Sequence, residues 1–342
     1  MRQQTTNWAG NGANEHQFLR RAPRPEDLPP DTLQRLAGAL KKQWNRYCKQ
    51  LQRCQRRFSE KAVHDSRVET RRLLAMLDLL RPFVPARCFR QARAALKRHL
   101  DTFSELRDTQ VQLLTMERMS VAATAARPFV EYLRGRERRF TRKTRKNIKR
   151  IRTKRLSRLV ASCRKEIKHW SREYPAETVN AKLLGAADKA FARTVQLQRQ
   201  IVPARTQSIH CTRVAFKKFR YMVETLADGL PSVGEELLAA MHDYQTTMGG
   251  IQDATVLLQS IEEFIRKRQP GPRVANALRR GVLRRRERLV RAYLEASGQL
   301  LKFWPAPGRG RSRITNKASQ PRMDTDEHRL GKENVILTGI AL

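Results

Sequence analysis

The sequence predicts an all-α protein built from two similar helical halves. No segment shows the alternation of apolar and polar residues that marks a half-buried β-strand. Prolines instead divide the chain into long segments in which apolar residues recur at helical spacing. One twelve-residue stretch is written twice, because residues 63–74 (VHDSRVETRRLL) reappear at an offset of 146 as residues 209–220 (IHCTRVAFKKFR). Such a repeat indicates a repeated structural unit.

The first half divides into four predicted helices after a polar lead. Residues 1–30 contain Arg-Pro and Pro-Pro pairs and are predicted to be disordered. Asp31 follows two prolines and can cap a first helix that runs past Trp44. Three further helices are predicted over residues 59–80, 86–119 and 123–170.

The second half repeats this order of elements. Pro175 interrupts the helical pattern and marks the boundary between a first half at residues 31–174 and a second at 175–303. Prolines separate four predicted helices over residues 176–202, 206–229, 232–268 and 272–304. Residues 304–342 are predicted to form a disordered basic tail. We therefore expect two four-helix bundles.

The duplicated stretch has a cationic side when it is wound as a helix. At about 100° per residue, His64, Arg67 and Arg71 share one side, and the apolar residues lie opposite. In the second copy His210, Arg213 and Lys217 likewise share one side of the helix, opposite the apolar residues. Guanidinium and ammonium groups gathered on one side are a ready site for an anion. The candidate anion-binding residues of the two copies are His64, Arg67, Arg71, Arg72, His210, Arg213, Lys217, Lys218 and Arg220.

The two histidines should couple anion binding to protonation. Neighbouring cations make an imidazole harder to protonate, whereas a bound phosphate reverses that bias. Binding is therefore predicted to tighten as the pH falls below about 7. For Arg72 and Lys218, which lie toward the side of their helices, a solvated surface position and a cavity position are equally open.

A second pair of segments keeps nearly the same spacing. Asp108 lies 44 residues after His64, and Asp253 lies 43 residues after His210. These carboxylates are either ordinary helix-surface groups or partners that orient the motif arginines, together with Arg107. Two landmarks at one spacing indicate that whole units are repeated.

The fourth predicted helix carries a long basic stripe. Its members fall within about 80° on a helical wheel, on a side different from that of the apolar residues. A run of basic residues usually forms a solvated helix face. This stripe, however, extends over the length of a helix that could flank a cavity, so it is also a candidate for anion binding. The stripe consists of Arg134, Arg138, Arg142, Arg145, Lys149 and Arg152.

The paired H-x-x-R-V-x-x-[RK]-[RK] helices, each followed by an [RQ]-D segment, resemble the CHAD domain, the conserved histidine α-helical domain. The resemblance covers about residues 31–303. It implies two four-helix halves around a basic cavity and the binding of inorganic polyphosphate, with polyphosphate granules in the cytoplasm as the place of action. The chain departs from the pattern at Leu74, where the second copy has Arg220, and at Gln252, where the first has Arg107.

The charge balance also points to a polyanionic partner. The chain has 71 Lys and Arg against 32 Asp and Glu, a formal net charge of +39. A surplus of this size suits polyphosphate, nucleic acid or an anionic membrane surface. Sequence-independent nucleic-acid binding is the alternative, although the basic faces lack the interleaved aromatic residues on which bases stack.

Catalysis, metal binding and membrane insertion have little support in the sequence. No glycine-rich phosphate loop or placed nucleophile occurs, and the candidate site is poor in the carboxylates that hold a divalent metal. We expect no enzyme activity, cofactor or metal; a metal-dependent phosphatase or a regulator of a phosphate-processing enzyme remain as lesser alternatives. Five cysteines without a C-x-x-C pair, no apolar run and no signal peptide predict a cytoplasmic protein with free thiols and no membrane span.

Overall fold

The computed structural model describes residue 19 and residues 21–119 and 123–305, and these residues form helices and loops without a strand. The all-α fold class is therefore confirmed. The helices are α1 (Thr32–Arg56), α2 (Glu60–Leu79), α3 (Ala86–Asp101), α4 (Ser104–Glu117), α5 (Ala123–Arg150), α6 (Lys154–Glu173), α7 (Ala176–Arg199), α8 (Thr206–Leu226), α9 (Glu235–Arg268), α10 (Pro272–Ala296) and α11 (Leu300–Phe303).

The first half has six helices instead of the four that the sequence predicts. The predicted helix 86–119 is divided at Thr102, where the backbone N–H of the buried Phe103 donates to the carbonyl of Leu100 in a tighter turn at 3.2 Å. The predicted helix 123–170 is divided after Arg150. There the side-chain amide of Gln55 in α1 donates to the carbonyls of Ile148 and Ile151 at 2.9 and 3.2 Å. A partner from α1 thus satisfies carbonyls that the helix end leaves free.

The segment before α1 is ordered where the structure describes it, so the prediction of a disordered lead is wrong for residues 21–30. Leu28 is buried. The amide of Asn180 in α7 donates to the carbonyls of Pro25 and Leu28, both at 3.0 Å. The predicted tail likewise begins too early, because Trp304 is buried and its Nε1 donates to Asp188 Oδ1 at 2.8 Å. Residues 1–18, 20 and 306–342 lie outside the described residues.

Helices of the first half pack directly against helices of the second half. In the first half α1, α2, α3 and α6 pack together, and in the second half α8 packs on α7 and α9 while α9 packs on α10. The repeated helices α2 and α8 lie against each other. Helices α4 and α5 reach across to α9 and α10, where Phe129, Leu133 and Phe264 belong to a second apolar core. The main core contains residues of both halves, so the repeated helices are held side by side at the junction.

Candidate anion-binding site

The repeated helices place their cationic sides at the junction because their apolar sides are buried. Helix α2 starts at Ser59, whose hydroxyl accepts from the backbone N–H of Ala62 at 3.2 Å, a common N-cap arrangement. Leu73 in α2 and Phe216 and Phe219 in α8 are fully buried. Helical periodicity then turns the basic residues away from the core and toward the surface where α2, α4, α8 and α9 meet.

Three helices contribute the cations of one group of charges. Arg67 is buried and donates to the carbonyl of Leu100 at 3.4 Å. Arg71 in α2 and Arg213 in α8 act on each other's charge across the junction, and Arg107 in α4 acts on both arginines of α2. We call the following residues the basic cluster: Arg67, Arg71, Arg107, Arg213 and Lys217.

Two carboxylates lie within this group. Asp108 in α4 is close to four of the five cations, and Asp253 in α9 is close to Arg213 and to Asp108. Burial raises the pKa of both carboxyl groups, while the neighbouring arginines act in the opposite direction. Asp108 remains reachable by solvent although protein surrounds it on most sides, as expected for a group on a concave surface. The two aspartates thus partly neutralise the cluster from within.

The environment disfavours further positive charge. Burial lowers the pKa of Lys217 to about 6, and Arg71 and Arg213 contribute to this shift. Burial and the neighbouring Arg71 lower the pKa of Arg67 to about 10. The free protein therefore keeps a set of like charges close together at an energetic cost, which a bound polyanion would remove.

The two histidines lie at the margins of the cluster and differ from each other. His64 is exposed, and its pKa is lowered by partial burial and by Arg107. His210 is half-buried, its pKa is lowered by burial and by Arg213, and the Gln252 side chain hydrogen-bonds its ring. Buried polar atoms on α8 lack a hydrogen-bond partner in the free protein, namely Nδ1 of His210 and Nε of Arg213.

Three predicted binding residues are engaged elsewhere. Arg72 pairs with Glu69 at 3.2 Å, and Lys218 pairs with Asp78 at 3.4 Å. The buried Arg220 donates to Gln245 Oε1 at 3.0 Å and to Glu224. Their guanidinium and ammonium groups are paired with carboxylates or an amide in the free protein, so we leave these three residues outside the basic cluster.

Replacing Arg220 by leucine, the residue at the equivalent position 74 of the first copy, tests this assignment. We expect anion affinity to change less than about threefold, because Arg220 already has protein partners. Loss of its ion pair should lower the free energy of unfolding by about 1–2 kcal/mol. Urea unfolding and anion titration measure the two effects, and Arg213→Leu on the same helix is the control that should lose affinity. A large loss of affinity in Arg220→Leu with unchanged stability would place Arg220 in the binding site.

The basic stripe of α5 is not part of the cluster. Arg134, Arg138, Arg142, Arg145 and Lys149 are exposed, and Arg152 lies beyond the end of α5. The charges that act most strongly on Arg67, Arg71 and Lys217 come from α2, α3, α4 and α8. The stripe is therefore a separate, solvated basic surface.

Tyr221 belongs near the cluster although the sequence interpretation did not include it. Its hydroxyl influences the pKa of Arg71 across the junction. It follows Lys217 by four residues, so a helical wheel places it on the cationic side of α8. Arg107, expected only to support other groups, is itself one of the clustered cations and pairs with Glu60 at 3.2 Å.

Metal-binding groups and membrane-spanning helices are not found in the described part of the chain. Within it, no group of three or more His, Cys, Asp or Glu side chains could hold a metal ion. No helix in the described ranges combines the length and apolar composition that a membrane crossing needs.

Comparison with known proteins gives one family. The family model of the CHAD domain matches residues 38–262. The crystal structure of the CHAD domain from the plant Ricinus communis is 15% identical, with a TM-score of 0.55 over 85% of this chain and 98% of that one. PptA from Streptomyces chartreusis is 17% identical, with a TM-score of 0.58 over 80% of this chain and 99% of that one. No curated protein sequence matches the chain.

Proposed function

The chain belongs to the CHAD domain family, and on that premise we propose that it binds inorganic polyphosphate at the basic cluster without catalysing a reaction. The observation that carries this proposal is the gathering of Arg67, Arg71, Arg107, Arg213 and Lys217 from three helices, with the carboxylates of Asp108 and Asp253 among them. Proteins keep such a surplus of like charge where an anionic partner compensates it.

The chemistry of polyphosphate suits this arrangement. Each unit of the chain carries negative charge and oxygens that accept hydrogen bonds, and a phosphate chain has no base that needs to be read. Arginine forks bind phosphate oxygens with two parallel hydrogen bonds.

The surroundings of Asp108 and Asp253 favour binding over catalysis. Phosphoryl transfer normally uses carboxylates that hold a divalent metal beside the reacting phosphate. Here arginines flank both carboxylates and repel a cation. We assign these aspartates the role of holding the arginine side chains in position when no ligand is bound. As a polyphosphate-binding protein, the chain would act at polyphosphate stores in the cytoplasm.

Sequence-independent nucleic-acid binding is the second candidate because of the exposed stripe on α5. A competition experiment separates the two functions: labelled long-chain polyphosphate is bound to the protein and challenged with duplex DNA and single-stranded RNA. Phosphate concentration must be matched and salt fixed near 150 mM, since counterion release tightens all polyanion binding at low salt. Polyphosphate that survives a hundredfold excess of nucleic acid supports the proposal. Displacement at parity contradicts it.

Reversing charges on the stripe should affect nucleic acid more than polyphosphate. In Arg138→Glu/Arg142→Glu/Arg145→Glu, we expect polyphosphate affinity at 150 mM salt to fall less than about fivefold. For duplex DNA we expect a loss of tenfold or more and a salt slope smaller by about one per lost phosphate contact. Fluorescence anisotropy over a salt series measures both. An equal loss for both ligands would mean that polyphosphate also uses the stripe.

A further inference from the structure

Two cysteines from different helices meet in the first half of the protein. Cys88 in α3 and Cys163 in α6 are separated by 75 residues in sequence, yet their sulfur atoms are 3.1 Å apart. The Cys88 thiol also lies 3.3 Å from the carbonyl oxygen of Leu159. Both cysteines are free thiols. The contact therefore depends on the packing of α3 against α6 and has no relation to the basic cluster.

We propose that Cys88 and Cys163 form a site of reversible oxidative modification, at which a hydroperoxide converts the two thiols into a disulfide. A disulfide has a sulfur–sulfur distance of about 2.05 Å, so the sulfur atoms need to approach by only about 1 Å. Side-chain rotation of this size can occur without separating the two helices.

The reaction has two steps, and Cys88 takes the first. The Cys88 thiol loses its proton, and the thiolate attacks one oxygen of the hydroperoxide. The O–O bond breaks, and the second oxygen leaves as an alkoxide or hydroxide, which takes up the proton that the Cys88 thiol released. The resulting sulfenic acid of Cys88 is then attacked by the sulfur of Cys163. The S–O bond breaks, and the released hydroxide takes the Cys163 proton to form water. Two thiols are oxidised by two electrons, and one hydroperoxide is reduced to an alcohol and water.

Differences in burial assign the two roles. Cys88 is half-buried and reachable by a small oxidant, whereas Cys163 is buried. Burial raises the pKa of Cys163, which keeps it protonated until the sulfenic acid forms beside it. The exposed Cys211 is more accessible than either, but no sulfur partner lies next to it in the described structure. Oxidation there ends at a sulfenic acid or at an adduct with an external thiol.

The disulfide should stabilise the fold without altering the anion site. The closed loop contains α4, with Arg107 and Asp108, but the cross-link joins α3 to α6 on the other side of the break at Thr102. Closing a loop of this length restricts the unfolded chain, so we expect the melting temperature to rise by about 5–10 °C. Anion affinity should stay within twofold.

The test uses the full chain treated with hydrogen peroxide, then blocked with N-ethylmaleimide and analysed by non-reducing peptide mass spectrometry. We expect a linked peptide pair containing Cys88 and Cys163, loss of two titratable thiols from this pair, and reversal by dithiothreitol. Cys88→Ser and Cys163→Ser should each lose the linked pair and the rise in melting temperature. Cys48→Ser, which changes a half-buried thiol without a sulfur partner, should keep both.

Three results would overturn the proposal. The first is full alkylation of Cys88 and Cys163 in the oxidised, unfolded protein. A second is cross-linking of Cys88 to other cysteines as often as to Cys163. The third is an equal rise in melting temperature in the Cys88→Ser variant. Circular dichroism of each serine variant, which changes one sulfur to oxygen, verifies that the helices remain folded.

Discussion

Replacing Arg71 and Arg213 together by glutamine should lower the affinity for long-chain polyphosphate at least a hundredfold. These two arginines come from the two repeated helices and act on each other and on Lys217 at the junction. A hydrogen bond to a charged group contributes about 1.5–3 kcal/mol. Loss of two such interactions corresponds to a factor of about 10²–10⁴ in the dissociation constant. Isothermal titration at 150 mM salt measures it directly.

The chain offers a matched control on the same two helices. The pair Arg72→Gln and Lys218→Gln removes the same two charges from α2 and α8, but at surface positions that pair with Glu69 and Asp78. We expect polyphosphate affinity in this control to change less than about threefold. If both double variants lose affinity equally, net charge governs binding and the cluster has no special role.

The double variant Arg71→Gln/Arg213→Gln should be more stable than the parent protein. In the free protein Arg71 and Arg213 repel other cations of the cluster, and burial increases this repulsion. Removing them leaves Asp108 and Asp253 with Arg67 and Arg107 as neighbours, so the remaining charges are better balanced. A rise in melting temperature of a few degrees, together with lost binding, is the pattern expected of a binding site kept at the expense of stability. A fall in stability would mean that the arginines are structural.

The cationic sides of α2 and α8 could be predicted from sequence because the arrangement of residues on one helix is local. A helical wheel needs only the periodicity of one helix, and the repeat supplies the second helix with the same phase. The wheel could also have found Tyr221, which follows Lys217 by one helical turn. The ion pair of Arg220 could also have been predicted from the sequence, since Glu224 follows it by four residues, the spacing of a helical ion pair.

Other features depend on contacts between distant parts of the chain. The end of α5 is set by Gln55 in α1, about ninety residues earlier, so periodicity alone continued the helix through residue 170. The order of residues 21–30 depends on Asn180 in α7. The position of the basic stripe on α5 could not be predicted for the same reason. A helical wheel shows which charges share a side of the helix, but it does not show which side another helix covers.

Lys217 should make polyphosphate binding depend on pH in the range where histidine is already neutral. Its pKa in the free protein is about 6, because burial and neighbouring arginines disfavour its charge. A bound polyanion favours the charged form and raises this pKa. Binding at pH 7.5 should therefore take up about one proton at Lys217, and affinity should fall tenfold or more between pH 6 and pH 8.5. Titration calorimetry in buffers of different ionisation enthalpy measures the proton uptake.

Lys217→Met isolates this effect because it keeps an unbranched side chain and removes the ionisable group. We expect its proton uptake at pH 7.5 to be smaller than that of the parent protein by about one proton, and any uptake that remains comes from His64 and His210, whose pKa values are lowered in the free protein. Lys218→Met removes the neighbouring exposed lysine, which pairs with the buried Asp78, and should retain the uptake of the parent protein. Parent affinity that stays constant from pH 6 to pH 9 without proton uptake would contradict the prediction.

The stability of the free protein should change with pH in the opposite direction. Between pH 6 and the ordinary lysine pKa of 10.5, the unfolded chain binds a proton at Lys217 that the folded chain does not. The free energy of unfolding therefore increases with pH across this window and becomes level above it. Bound polyphosphate raises the folded-state pKa and so should flatten this rise, and Lys217→Met should remove it even without ligand. Urea unfolding at pH 6, 7.5 and 9, with and without polyphosphate, tests whether one buried lysine links folding and anion binding to the same proton.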